Sequence, residues 1–175
     1  MSRADKETTR VRDSSGAHRV PRVQGPTALD ATGALCWTIH FTLSQDRTRG
    51  AFLGLDHELE QYKLSTLVEA ASASEIQVHR LPIVDGGVPE SVPALVALVR
   101  TIVRAAEAGE NVVIVCRGGL GRTGLVAASV LVALGQSPPE AIRLVRATRQ
   151  GAIENRDQEG FVSEHAAALR AACTS

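Results

Sequence analysis

The sequence predicts an α/β domain in which a central, mostly parallel sheet is flanked by helices. Three observations predict it. The chain has 175 residues, 44% of them hydrophobic and 22% charged, the composition of one globular domain with a real core. Stretches of strand character alternate with stretches of helical period, and helices crowd the C-terminal half. From Asn111, Val112-Val113-Ile114-Val115 form a continuous apolar run, the mark of a strand buried on both faces.

Each element has its own reason. Met1–Ala28 carries six basic residues against three acidic and is rich in Arg, Ser, Thr and Pro. So little apolar surface does not offset the entropy of ordering a chain, so residues 1–28 are expected to be a disordered basic tail and 29–175 a single domain. Cys36 to Leu43 mixes aromatic and β-branched residues as strands do, and Ala51–Leu55 is a second short apolar run. Asp56-His57-Glu58-Leu59 leads into a helix with Leu64, Leu67, Val68 and Ala71 on one face. Ile76 to Leu81 alternates and predicts a strand stopped by Pro82, while Asp85-Gly86-Gly87 with Pro89 is loop chemistry. From Ser91 the period is helical, with Val92, Leu95, Val99, Ile102, Val103 and Ala106 along one side and Gly109 as terminator. After the apolar strand come glycines and a very apolar helix, Thr123 to Leu134, ended by Gly135. Ser137-Pro138-Pro139-Glu140 has the form of a capping box and opens a helix whose Ile142, Leu144 and Val145 reach the core. A last helix is predicted from about Asp157 to Ala172, with Phe161, Val162, His165 and Leu169 facing inward.

Composition excludes several functions. Basic and acidic residues balance at 19 each, so no general nucleic-acid surface is expected. The five aromatic residues are too few for base-stacking platforms. Cys36, Cys116 and Cys173 are an odd number at no metal-ligand spacing, which argues against a disulfide framework or a zinc site and for a reducing interior. Met1–Ala28 holds no apolar run of a secretory signal, and the longest apolar helix, Leu125 to Leu134, falls far short of the ~20 residues that span a bilayer. His40 and His79 stand on strands with no second ligand at metal spacing. A cytoplasmic monomer without metal, cofactor, membrane or nucleic-acid partner is expected.

The chemistry is concentrated in Cys116-Arg117-Gly118-Gly119-Leu120-Gly121-Arg122-Thr123-Gly124. A buried strand ends on a cysteine, a tight glycine-rich loop follows, and an arginine opens a buried helix. Loop N–H groups and the helix N-terminus converge into an anion site. Arg117, Gly118, Gly119, Leu120, Gly121 and Arg122 are therefore the candidate phosphate-binding residues. The Arg122 guanidinium is a planar fork suited to two oxygens of a phosphate. Cys116 stands in this positive cradle, which favours its thiolate, the nucleophilic form. The arrangement implies attack on phosphorus through a cysteinyl-phosphate. Expelling an alkoxide or phenoxide calls for an acid, a contribution of ~10²–10⁴ in rate. The candidate is Asp85, on a loop shaped by glycines and prolines just past a strand.

Gly119-x-Gly121-x-x-Gly124 also matches the letters of the dinucleotide fingerprint. No second strand with a terminal acidic residue follows, because Glu140, at about the right distance, belongs to the start of another helix. No lysine precedes Thr123, so the phosphate-loop pattern of the nucleotide triphosphatases is absent too. Both nucleotide readings are excluded.

Cys116 to Thr123 fits the signature Cys-x5-Arg-Ser/Thr, and the chain resembles the cysteine-dependent protein phosphatases. The aspartate loop and small size resemble their dual-specificity branch. Pro82-Ile83-Val84-Asp85-Gly86-Gly87-Val88-Pro89 with Gly118-Gly119-Leu120-Gly121-Arg122 is similar to the kinase-associated phosphatase group, including its bacterial relatives. The resemblance runs from about Asp56 to Ala172. It implies a phosphatase-like fold with Cys116 as nucleophile, Arg122 as phosphate clamp and Asp85 as acid, then as base for the hydrolytic water. Thr123 would help the thiolate leave. Gly151-Ala152-Ile153-Glu154 and Gln158 match a further family segment, which implies that Gln158 orients the water; its bland alternative is an exposed helix residue. The implied reaction is metal-independent hydrolysis of a phosphate monoester, on a phosphorylated protein or a small molecule. The one extra base, Arg117, argues against a polyphosphorylated head group and leaves phosphotyrosine and phosphoserine/threonine open.

Two departures keep a second reading in play. Val115 stands where most relatives have histidine, and only the polar stretch Ser44–Gly50 separates the first two strand candidates, where relatives have a fuller strand–helix–strand unit. The second reading is a catalytically weak or silent phosphate-binding module. Sulfur transfer or arsenate reduction is set aside because neither chemistry calls for an acid like Asp85. Cys36 and Cys173 are read as bystander thiols.

Overall fold

The computed structural model describes residues 22–24, 37–40, 48–61, 69 and 76–173. Their elements are β1 (Arg22–Gln24), β2 (Trp37–His40), β3 (Thr48–Phe52), α1 (Asp56–Gln61), β4 (Gln77–Arg80), α2 (Val92–Glu107), β5 (Asn111–Val115), α3 (Gly121–Ala133), α4 (Pro138–Thr148), α5 (Arg156–Glu164) and α6 (Ala166–Ala171). β1 falls within the segment read from composition as a tail; the rest of that segment lies outside the described residues, as do Cys36, Leu64, Leu67, Val68 and Ala71.

The five strands form one sheet in the order β1-β2-β5-β3-β4. β3 pairs in parallel with both β4 and β5, so the expected parallel sheet is this trio. β2 and β1 extend it antiparallel. The reason is the short link from β2 to β3, residues 41–47, where a parallel crossover needs a dozen residues or more. Lying between two partners, β3 begins at Thr48, earlier than the apolar run alone predicts: pairing on both sides recruits Thr48, Arg49 and Gly50. Arg49 is held there by Glu110 and Gln77.

β5 occupies the middle of the sheet, and Val112 and Ile114 are buried under the helices while Val113, on the other face, is half-buried. α2 starts where Ser91 Oγ accepts the Ala94 N–H at 3.3 Å, with proline in its first turn. It buries the predicted stripe together with Leu98 and Ala105, although Val92 is only half-buried. All residues of α3 are buried, enclosed by α2, α4, α5 and α6, which is why its sequence is apolar all round.

Two local expectations are corrected. Ser137 precedes α4 but its side chain caps nothing, and the Glu140 carboxylate pairs with Arg143 instead of turning back. Two prolines in the first turn remove N–H donors, and a guanidinium three residues on is the stronger partner. The predicted last helix is two helices: the backbone turns at His165 (φ −100°, ψ 10°), where the imidazole stacks on Phe161 at 4.3 Å. The turn lets Ala166 and Leu169 reach the core.

The C-terminal ends of β4, β3 and β5 reach one edge together, where α/β sheets place ligands. Leu53 N–H donates to Val115 O at 2.8 Å, Leu81 N–H to Phe52 O at 3.1 Å and Ile83 N–H to Leu53 O at 3.0 Å. These bonds carry the ladder past the strand ends and align the three loops that follow.

Candidate active site

The loop after β5 is built by its own residues. Cys116 is buried, and its Sγ accepts the Gly119 N–H at 3.2 Å and the Thr123 hydroxyl at 3.0 Å. Gly119 has φ +64°, a left-handed turn that glycine takes without strain, and this turn aims its N–H back at the sulfur. α3 begins at Gly121 with no side chain capping it, so the helix itself leaves its first-turn N–H groups unused and presents its positive end to the loop. A Cβ on Gly121 would lie 2.0 Å from Glu154 Oε2 and 2.9 Å from Gln158 Nε2. Glycine there lets the segment before α5 close onto the loop.

Arg122 is 1% exposed. Nη1 donates to Glu58 Oε2 at 2.7 Å and to Ile83 O at 3.0 Å; Nη2 donates to Glu58 Oε1 at 2.9 Å and to Asp85 Oδ1 at 2.9 Å. Burial works against the guanidinium's charge, but the hydrogen bonds it donates to Glu58, aided by the charges of Cys116, Glu58 and Asp85, hold its pKa above the ordinary arginine value. The Glu58 carboxyl is held below its usual range, first by the Arg122 hydrogen bond against the cost of burial, then by the Leu55 N–H. Glu58 is the third residue of α1 and accepts the Leu55 N–H at 2.8 Å, as the acidic half of a capping box does. One carboxylate thus caps a helix and aligns the fork.

The loop after β4 brings Asp85 to the outer nitrogen of that fork. Its turn closes through Gly87 N–H to Val84 O at 2.8 Å, with Gly86 at φ +71°. The Asp85 side chain is half-exposed, and its Oδ2 lies 3.6 Å from Arg117 Nη1. Two side chains at the start of α5 grip this turn. Asn155 Nδ2 donates to Gly86 O at 2.7 Å, and Gln158 Nε2 donates to Gly87 O at 3.2 Å. The other ends of these amides cap α5: Asn155 Oδ1 accepts Gln158 N–H at 3.0 Å and Gln158 Oε1 accepts Glu154 N–H at 2.9 Å. Gln158 is fully buried, so the alternative of an exposed helix residue is not what the fold provides.

A buried cysteine accepting two hydrogen bonds, a clamped arginine and an aspartate thus share one sheet edge. The family described as PTP-SAK: Swiss Army Knife protein, DSP-PTPase phosphatase domain, matches residues 60–162, more than half of the chain. The chain belongs to this phosphatase family. It is 33% identical over 110 residues to cyclin-dependent kinase inhibitor 3 of Homo sapiens, a match covering 61% of this chain and 51% of that one. The chain therefore spans about half the length of that curated relative. It is 29% identical over 132 residues to the probable protein tyrosine phosphatase type IVA A of Dictyostelium discoideum, covering 67% and 76% of the two chains. Among solved structures it is similar to a kinase associated phosphatase whose catalytic-site cysteine is substituted by serine, with a TM-score of 0.66, 29% identity and 71% of each chain covered.

Within this phosphatase domain the fold brings together Cys116, Arg122, Thr123, Asp85 and Gln158, and it places Arg117 at the rim, half-exposed. Cys173 is exposed after α6. Sequence reasoning missed three groups. Glu58 carried a signal, an acidic residue one turn into a helix that follows a strand. Asn155 carried a weaker one, an N-cap residue before a predicted helix. Arg149, whose Nη2 donates to Gly118 O at 3.0 Å, carried none, since an arginine at a helix end is ordinary. Arg146 donates to Ala152 O at 3.0 Å and Ile153 O at 2.8 Å. It steadies a turn where Ile153, buried, has φ +59°, a strained conformation for a β-branched residue. Among the described residues no cluster of His, Cys, Asp or Glu could hold a metal ion, and no described helix is long and apolar enough to cross a membrane.

Proposed function

We propose that this chain hydrolyses phosphate monoesters of phosphorylated proteins, on tyrosine or serine/threonine, through a cysteinyl-phosphate on Cys116. The observation that carries the reading is the Cys116 sulfur, which accepts two hydrogen bonds on the loop that also carries the clamped fork of Arg122.

In the first step Sγ attacks phosphorus in line with the leaving oxygen, the S–P bond forms and the P–O bond breaks. Asp85 delivers its proton to that oxygen. The equatorial oxygens are met by N–H groups of residues 117–122 and by Arg122, through its Nε–H and through the Nη2 hydrogen that Asp85 releases when it turns to the leaving oxygen, the charge being in place before the reaction begins. Arg122 and the backbone supply the positive charge that a metal ion supplies elsewhere, so the reaction needs no metal. In the second step Asp85, now a carboxylate, takes a proton from water as the water oxygen attacks phosphorus. The S–P bond breaks and Thr123 donates its hydrogen bond to the departing sulfur. Gln158 keeps one amide proton beyond its bond to Gly87 O, which is the group available to that water.

The test is hydrolysis of p-nitrophenyl phosphate with EDTA present. Wild type turns over and is inhibited by vanadate, and Cys116→Ser loses at least ~10³-fold in kcat. Full activity in Cys116→Ser overturns the mechanism. Val115, buried beside the cysteine at the position where the family resemblance implies histidine in most members, favours one second reading, a silent phosphate-binding module. Rapid alkylation of Cys116 by iodoacetate at pH 6 separates the two, because only an activated thiolate reacts quickly there.

A further inference from the structure

α4 and α5 leave a groove of about 640 Å³ between them, separate from the cysteine cradle. Pro139 and Ile142 supply its apolar lining, and Arg143, Arg146 and Arg156 line it against one carboxylate, Glu159. In a chain of zero formal charge this is a local concentration of guanidinium groups. Glu154 and Asp157, two residues before and one after Arg156, do not line the groove.

The three arginines differ in how far they are committed. Arg146 is taken up by the carbonyls of Ala152 and Ile153 and by Glu159. Arg143 reaches Glu140, outside the groove, yet its side chain is 62% exposed. Arg156 is exposed and makes no ion pair among the described residues. Beside the apolar pair Pro139 and Ile142, Arg156 thus faces solvent without an ion pair among the described residues, and Arg143 faces solvent with only the surface carboxylate of Glu140 as partner.

The helix that lines the groove also touches the cradle at its far end. Arg149, three residues beyond Arg146 on the same helix end, donates to Gly118 O in the cysteine loop. From Arg143 to Arg149 the helix rises about 9 Å, a distance that an extended peptide covers in about three residues.

We propose that the α4–α5 groove docks an acidic segment of the phosphorylated protein substrate, its carboxylates on Arg156 and Arg143 while the phosphoryl group lies on Arg122. The second half of this statement rests on the phosphatase reading; binding in the groove does not. A peptide is the occupant because the trough pairs an apolar floor with a charged rim, as a chain of alternating side chains requires, whereas a lipid surface or a nucleic-acid backbone calls for an exposed, unbroken basic face. Acidic residues are therefore expected to matter at about three to six positions from the phosphorylated residue.

The test uses the full chain and two readouts. An unphosphorylated, fluorescein-labelled peptide containing a run of glutamates is titrated at low salt and followed by anisotropy. Saturable binding is expected, weakened about tenfold or more by Arg143→Ala combined with Arg156→Ala, abolished by Arg143→Glu combined with Arg156→Glu, and lost at high salt. Hydrolysis of p-nitrophenyl phosphate by both pairs stays at the wild-type level, which also certifies their folding. Phosphopeptides with acidic flanks show a lower KM than neutral ones, and the paired substitutions erase that difference without changing kcat. No binding by wild type, or equal binding by the variants, overturns the docking groove and leaves the phosphatase reading standing. Binding without any hydrolysis overturns the phosphatase reading and leaves the groove standing. Retention on phosphatidylglycerol vesicles, lost in the same variants while the peptide does not bind, overturns the peptide in favour of a lipid surface.

Discussion

The cysteine loop and the aspartate loop face each other across Arg122, and their reactive side chains are held differently, the sulfur by near neighbours and the carboxylate from afar. The cysteine loop closes mainly on itself: Gly119 and Thr123, three and seven residues on, bond to Cys116, and from farther along the chain Arg149 holds Gly118 O and Ile153 N–H holds Leu120 O. The aspartate loop has one local bond, at its turn. Otherwise it is gripped from afar, by Arg122 at 37 and 39 residues and by Asn155 and Gln158 at 69 and 71. Closing a short loop costs little chain entropy and does not wait for the rest of the fold. A long-range grip exists only once the helices have packed, and it is the kind of contact that opens locally first. The cradle is thus constitutive, and the position of the acid is conditional.

Substitutions that separate the two loops sharpen this contrast. The largest effect is expected for Asp85→Asn, which should lower kcat/KM on a phosphoserine peptide by ~10²–10⁴. On p-nitrophenyl phosphate the loss should be smaller, because nitrophenolate leaves without a proton; equal losses on both substrates would mean that Asp85 acts through its charge on Arg122 and not as an acid. Arg122→Lys keeps a charge but loses the fork that both loops share, and should cost ~10²–10³ in kcat. Vanadate inhibition should weaken with it while alkylation of Cys116 persists, since the sulfur's own hydrogen bonds are untouched.

Glu58→Ala leaves a buried guanidinium without its bidentate partner and should cost about 3–5 kcal/mol of stability. The folded carboxyl of Glu58 lies below its usual pKa of 4.5, so its contribution is complete above that value and is lost as the pH falls through the lower folded value. Urea melts between pH 7 and pH 3 check the sign: the gap between wild type and Glu58→Ala should be constant near neutrality and shrink in acid. The smallest effect is expected for Asn155→Ala, about three- to tenfold in kcat on the phosphoserine peptide, together with ~1 kcal/mol of stability from the lost helix cap. Asn155→Asp retains the cap but not the donor to Gly86. It should recover the stability and keep the kinetic defect, which a melt and a rate measurement on the same sample would show.

The same contrast explains how much could be read beforehand. Strand β5, the glycine turn and the opening of α3 are contiguous, and each announces itself through apolar run, glycine and arginine in order. α2 is legible from its stripe of apolar residues, Val92 to Ala106, and its flanking Ser91 and Gly109. β3 runs from Thr48 to Phe52 where the apolar run spans Ala51–Leu55, because Thr48, Arg49 and Gly50 are strand only by virtue of two partners. The capping role given to Ser137 failed because Arg143 offers Glu140 a better partner than a backbone N–H does. Glu58 and Asn155 escaped notice because what they hold lies far along the chain.

The sequence by itself determined the alternation of strands and helices, the cysteine cradle and the candidate acid, because these follow from periodicity and from groups within a few residues of one another. Only the tertiary structure decided which carboxylate clamps Arg122, what holds the loop of Asp85, and that α4 and α5 leave an arginine-lined groove between them. Those are distances between residues tens of positions apart. They are set by how α3 is enclosed and how three parallel strands end at one edge, and no local pattern encodes them.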